Sequence, residues 1–337
     1  MKTFKLTAAL LFAVLLFTQC KEDGPIDALP VPVEECGDVR YNQDIFDEVQ
    51  MTTVQYGENM NFNGTELEEL MVDVYEPIGD EQEMRPLIIW AFGGSFIGGE
   101  RSNMAAYAES NAKKGFVGAS IDYRILDAAV TGIPDSVLGL DIAVKAMGDM
   151  KAAIRFFRQD AATDNIFRID PDKIFIGGLS AGGIVALTVG LTQEDDIIWD
   201  HVRDALDANG GFEGSSGDAE NMAYSSEVSG IINLSGAAYN LNWLDANDPP
   251  IVAIHGNADE TVQYDCGFAN VFGFDIIRLC GSGAIKEKAD AIGHNTRLVT
   301  VEGGGHTDIY SFLAFAEPRE EFFENVLKAY LIEGVCE

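Results

Sequence analysis

The chain has 337 residues, 47% hydrophobic and 23% charged, which is enough for one large domain with a substantial core. Fifty-five acidic side chains against 22 basic ones leave a formal net charge of −33. Such a surface repels phosphate backbones and anionic membranes, so it argues against nucleic-acid partners and polyanionic substrates and fits a soluble chain in a salty or extracellular setting.

Lys2 and Lys5 precede an apolar stretch over residues 6–17, broken only by Thr7. It is too short to span a bilayer and suits a secretory signal. The stretch ends in Phe17-Thr18-Gln19-Cys20, and a cysteine at that place resembles a bacterial lipoprotein cleavage site. Gln19 and Phe17 depart from that pattern, which usually has Gly or Ala and Leu. Lys21-Glu22-Asp23 is similar to the charged tether of Bacteroidetes-type surface lipoproteins. The expected organisation is a signal over residues 1–19, lipidation at Cys20, an anchor and linker over 20–45, and a catalytic domain over 46–337. The protein would then be exported to the outer membrane or cell surface and touch membrane only through Cys20. Periplasmic or secreted release is the alternative.

Four further cysteines remain, Cys36, Cys266, Cys280 and Cys336. An even number in an exported chain suggests disulfides, and three pairings are open. The favoured one joins Cys266 to Cys280 across a short loop and Cys36 to Cys336 across the chain ends; buried free thiols are the rival. No C-x-x-C spacing points to zinc, and no metal site is expected.

From about residue 50, strands and helices alternate, as in a largely parallel α/β sheet. Strands are expected over 52–56 and 70–75, then over 87–91, where Leu87-Ile88-Ile89-Trp90-Ala91 is apolar throughout, as in a strand covered on both faces. Others follow at 116–121, 173–176, 229–234, 250–254 and 296–301. Ala143, Met147, Met150, Ile154 and Phe157 recur at helical spacing, so 141–157 should form a helix across one sheet face. Residues 191–228 break the alternation, with helical content over 197–206, and read equally as a cap over a pocket or a surface loop.

The strand at 173–176 runs into Gly178-Leu179-Ser180-Ala181-Gly182. A G-x-S-x-G turn between strand and helix forces its serine into an exposed elbow. Serine needs a base, an acid to orient that base, and donors for the oxyanion. Of His201, His255, His294 and His306, only His306 follows a glycine run, Gly303-Gly304-Gly305, directly after the last strand. It is the expected base. His201 and His294 lie in polar segments and read as solvent-facing; His255 reads as a structural hydrogen-bonding group. Asp259 leaves the carboxyl end of the 250–254 strand, where catalytic groups gather in open α/β sheets, and is preferred over Glu260 as the acid. After Trp90-Ala91 comes Phe92-Gly93-Gly94-Ser95-Phe96, whose small residues can turn amides to one point. The expected oxyanion donors are the amides of Gly94, Ser95 and Ala181.

These motifs, with Ser120-Ile121-Asp122-Tyr123-Arg124, Ile169-Asp170-Pro171-Asp172-Lys173 and His255-Gly256-Asn257-Ala258-Asp259, resemble the carboxylesterase and hormone-sensitive-lipase branches of the α/β hydrolases, from about Tyr56 to Ala329. The resemblance implies an eight-stranded, mostly parallel sheet with helices on both faces. Phe92 stands where the family usually has His, and Leu179 where it has Glu or Asp. Residues and resemblance together imply a cofactor-free carboxylesterase working through Ser180, His306 and Asp259 on small-molecule or polymer-linked esters. Plant-derived acyl or feruloyl esters and polyester-like chains are both compatible. Phe92, Phe96, Trp243 and Phe272 are candidates for a pocket wall or for the core. A serine peptidase of the same fold and a catalytically silent binding protein are the rivals.

Overall fold

The apolar run at Leu87–Ala91 lies at the centre of the molecule. In the computed structural model, which describes residues 36–194, 196, 198–310 and 315–336, every residue of strand β3 (Arg85–Ala91) is buried. The expected signal, Cys20 and the linker as far as residue 35 lie outside the described residues. The rest of the expected linker is not a linker. Arg40 is buried in an ion pair with Asp80, and the Tyr41 ring packs on Phe116 at 4.7 Å. A disulfide joins Cys36 to Cys336, close to the two ends of the described residues.

The strands are β1 (Val49–Met60), β2 (Leu67–Pro77), β3, β4 (Val117–Ile121), β5 (Ile169–Leu179), β6 (Gly230–Leu234), β7 (Ala237–Ala238), β8 (Ile251–Gly256), β9 (Cys266–Val271), β10 (Phe274–Gly281) and β11 (Thr296–Val301). The helices are α1 (Ala105–Lys113), α2 (Ala128–Thr131), α3 (Ser136–Ala162), α4 (Ala181–Leu191), α5 (Asp200–Ala208), α6 (Ser282–Ile292), α7 (Ala316–Glu320) and α8 (Leu327–Cys336). Eight strands form one sheet in the order β1-β2-β4-β3-β5-β6-β8-β11, parallel from β4 to β11, with β1 and β2 antiparallel at one edge. Both β4 and β5 flank β3, so the winding direction reverses there. Open α/β sheets place their ligands at such a switch, outside the carboxyl ends of the strands.

Helix α4 starts at that point and is buried at ten of its eleven residues. A helix apolar on all sides can only sit inside, between sheet and covering elements. Helix α3 is longer than its spacing predicts: Asp135 caps it by accepting from the amides of Val137 and Leu138 at 3.0 Å each. Asp149, Lys151 and Arg155 are buried too. Asp149 takes the Arg124 guanidinium, while Arg155 and Lys151 meet Glu213, so the 211–217 segment packs on α3.

A second sheet, β7-β10-β9, has no counterpart in the sequence reading. Its core is the hairpin β9–β10, joined by Cys266–Cys280. The two-residue turn places Phe272 and Gly273 at φ 53° and 88°, the backbone of a type I′ hairpin turn. Asn-Gly or Asp-Gly announces such a turn; Phe-Gly does not.

Candidate active site

β5 passes into α4 with Ser180 alone between them, at φ 55° and ψ −115°. A non-glycine residue there is strained by about 1–3 kcal/mol, held by what surrounds it. The neighbours must be glycine: a Cβ on Gly178 would lie 2.1 Å from the Gly182 carbonyl carbon, and one on Gly182 would lie 2.1 Å from the Ala91 carbonyl oxygen. The Ser180 amide donates to the Leu234 carbonyl of β6 at 2.8 Å, which pins the elbow to the sheet.

The structure brings the three expected residues together. His306 Nε2 is 2.8 Å from Ser180 Oγ, and His306 Nδ1 is 2.7 Å from Asp259 Oδ2. A carboxylate at Nδ1 holds the proton there, which leaves Nε2 as the acceptor for the serine hydroxyl. Two loops make this convergence. The Ala258 amide donates to the Gly304 carbonyl at 2.9 Å, and the Gly303 amide donates to Asn257 Oδ1 at 2.7 Å. The loops touch so closely that a Cβ on Gly256 would lie 2.2 Å from the Gly304 carbonyl oxygen.

Asp259 is 5% exposed and surrounded by donors. Oδ1 accepts the amides of Thr261 and Val262 at 2.8 and 2.9 Å, and Oδ2 accepts from His306 and, at 3.1 Å, from His255 Nε2. Burial alone would raise its pKa, but the hydrogen bonds from His255 and His306 outweigh that and lower it to about 2. Nδ1 of His255 faces the amide and hydroxyl of Ser282, so the His255 proton sits on Nε2, directed at Asp259 and the Val262 carbonyl. Glu260, the rival acid, is exposed.

After β3 the chain runs through Gly94, Ser95 and Phe96 at φ 136°, 56° and 59°. The Gly94 carbonyl accepts the amides of Ile97 and Gly98, at 3.0 and 3.2 Å, and so closes the turn. Gly93 rests on the elbow: a Cβ there would lie 2.8 Å from the Leu179 carbonyl oxygen. Ser95, Ser180 and Ala181 face one cavity, and the Ala181 amide opens α4, where helix amides have no partner within the helix. Phe92, in place of the usual His, is buried, and Tyr123 donates its hydroxyl proton to the Phe92 carbonyl at 2.7 Å.

The cavity continues from Ser180 between α3, α4, α5 and the hairpin β9–β10. Phe96 and Trp243 line it, while Phe92 belongs to the core and Phe272 is 78% exposed. From the 191–228 segment, Val202 and Leu206 also line it. No charged side chain does so among the described residues. His201 is exposed and meets the Tyr239 hydroxyl at 2.9 Å. His294, expected in solvent, is buried. Its ring bridges Thr296 Oγ1 and the Asp248 carbonyl, so its polar flanks belong to internal hydrogen bonds. No group of three His, Cys, Asp or Glu suited to a metal occurs among the described residues.

The BD-FAE family model matches residues 72–239, from β2 through the Gly93-Gly94 loop and the elbow to Tyr239. A curated relative, the non-reducing polyketide synthase atr1 of Stereocaulon alpinum, is 29% identical over 133 residues, covering 38% of this chain and 5% of that protein. The chain therefore spans only a small fraction of that relative's length. Propionate-bound esterase Est2 of Thermogutta terrifontis superposes with a TM-score of 0.57 at 21% identity, over 84% of this chain and 93% of that one. The same esterase phosphorylated by paraoxon gives 0.56 at 20% identity, over 84% and 94% of the two chains. A truncated carbohydrate esterase from gut microbiota gives 0.57 at 20% identity, over 88% and 99%. With the mostly parallel eight-stranded sheet and overall fold shared with these esterase structures, the chain has the α/β-hydrolase fold, and its central segment is similar to the BD-FAE family.

Proposed function

We propose that the chain is a serine carboxylic ester hydrolase acting through an acyl-enzyme. The observation that carries this reading is the line of short hydrogen bonds from Asp259 through His306 to Ser180 at the mouth of a cavity. His306 Nε2 takes the hydroxyl proton as Ser180 Oγ attacks the ester carbonyl, and Asp259 stabilises the resulting imidazolium. The amides of Gly94, Ser95 and Ala181 receive the oxyanion. Collapse of the tetrahedral intermediate expels the alkoxide, which leaves as alcohol with the proton from His306. Water, deprotonated by the same nitrogen, then attacks the acyl carbon and frees Ser180. The uncharged cavity favours an ester over a peptide with a charged terminus, and ester groups on small molecules or on polymers can reach the mouth.

The test is Ser180→Ala on p-nitrophenyl acetate and on a peptide p-nitroanilide. The native chain is expected to cleave the ester far faster than the amide. The variant should lose activity by several orders of magnitude, on the order of 10⁶, with its melting temperature nearly unchanged. Paraoxon should label Ser180 in the native chain. Retained activity in the variant would move the nucleophile elsewhere.

In the same reading the protein is exported and tethered through Cys20. Two disulfides support export, because such bonds persist in oxidising compartments. Cys36 lies beside Pro86, Asp170 and Lys173, near the amino ends of β3 and β5, whereas Ser180 lies at the carboxyl end of β5. Cys20→Ser should release the protein into the soluble fraction; unchanged membrane association would overturn the tether.

A further inference from the structure

The cavity is longer than the chemistry at Ser180 requires. Ser180, Ile184, Thr188 and Thr192 all line it, a stripe at four-residue spacing along one side of α4. The eleven residues of α4 span roughly 16 Å at 1.5 Å per residue. The Thr188 hydroxyl already donates to the Ile184 carbonyl at 2.7 Å, so along the middle of the stripe only apolar surface faces the slot, and the one unpartnered hydroxyl, that of Thr192, lies at its far end.

Ile276, Ile277 and Leu279 of the hairpin contribute a further wall of this slot. That wall is fixed. Cys266–Cys280 ties the two hairpin strands, Cys280 pairs with Ala238 of β7, and the Asn270 amide donates to the Thr261 carbonyl, two residues from Asp259, at 2.8 Å. Helix α3 presses on it as well: a Cβ on Gly139 would lie 3.3 Å from Ile276 Cγ2.

We infer that the acyl part of the substrate is a linear, uncharged, apolar chain longer than acetyl, laid along α4, and that the stapled hairpin β9–β10 is the wall that sets its fit. The inference rests on Ser180 being the nucleophile of an ester hydrolase. Burying one methylene favours binding about fourfold, so reactivity should climb with chain length until the slot is full.

The experiment measures kcat/KM for p-nitrophenyl acetate, hexanoate, decanoate and benzoate with the native chain, Ile277→Asp and Ile277→Leu. The native hexanoate-to-acetate ratio should be at least tenfold. It should fall at least tenfold in Ile277→Asp, whose carboxylate would face the slot, and return in Ile277→Leu. A merely structural role would depress all esters together and leave the ratio alone. A native ratio near one, benzoate as the best ester, or an unmoved ratio in Ile277→Asp overturns the inference while ester hydrolysis stands. Failure to cleave any ester overturns the parent reading and this one with it.

Discussion

Tyr123 both stacks on Phe92, with ring centroids 4.2 Å apart, and donates its hydroxyl proton to the Phe92 carbonyl at 2.7 Å. Burial pushes the Tyr123 phenol well above its ordinary pKa, so it stays a donor. One side chain thus holds both the ring and the backbone of Phe92, which opens the Gly93-Gly94 loop proposed to supply oxyanion donors. The tyrosine comes from the segment after β4 and reaches the start of the Gly93-Gly94 loop.

Tyr123→Phe keeps the stack and removes the donor. A buried carbonyl left unpaired costs about 1–3 kcal/mol, which urea unfolding should register. Hydrolysis should lose about tenfold in kcat with little change in KM, because the loop's donors act on the transition state. Equal stability loss with unchanged kcat would show that the loop does not depend on this bond.

Asp259 ties stability to acid. Its folded pKa of about 2 lies below the unfolded carboxylate value, so its contribution is complete above about pH 4 and is lost as pH falls toward 2. The amount is on the order of 2 kcal/mol. Unfolding free energies from pH 2 to 5 should therefore fall more steeply in the native chain than in Asp259→Asn. Parallel curves would contradict the assignment.

His255 touches Asp259 and not the serine, so it is a positioning residue. His255→Ala removes one of the two side-chain donors that depress Asp259. The acid-unfolding midpoint should move to higher pH and kcat should fall. His255→Gln, which keeps an N–H in the same region, should recover part of both. Recovery of neither would point to a packing role alone.

The two disulfides should differ in worth. Cys36–Cys336 closes a loop with a sequence separation of 300 and Cys266–Cys280 one of 14. Chain entropy makes the first worth on the order of 5 kcal/mol and the second about 3 kcal/mol. Paired Cys→Ser variants compared by denaturant midpoint should rank in that order; the reverse order would show that the chain ends are already held by packing.

Much of the site was legible because its geometry is local. Ser180 needs a positive φ between strand and helix, and Gly178 and Gly182 announce that within five residues. The strands of the main sheet were legible for a similar reason, since β3, β4, β6 and β8 are buried at every position and read as mostly apolar runs. The hairpin β9–β10 was not, because its half-exposed strands and its Phe272-Gly273 turn follow no common pattern. His294 misled because a polar side chain reads as solvated until its partner is known.

Taken alone, the sequence determined the sheet, the elbow and the order of serine, aspartate and histidine along the chain, because each is written in neighbouring residues. Only the tertiary structure decided that Tyr123 holds Phe92 at the start of the Gly93-Gly94 loop, that His255 and His306 share the Asp259 carboxylate, and that the pocket runs along α4 under a stapled hairpin. Those contacts join residues far apart in the chain. Their energy comes from burial and from pairing of donors with acceptors, which exist only once the strands have brought the loops together.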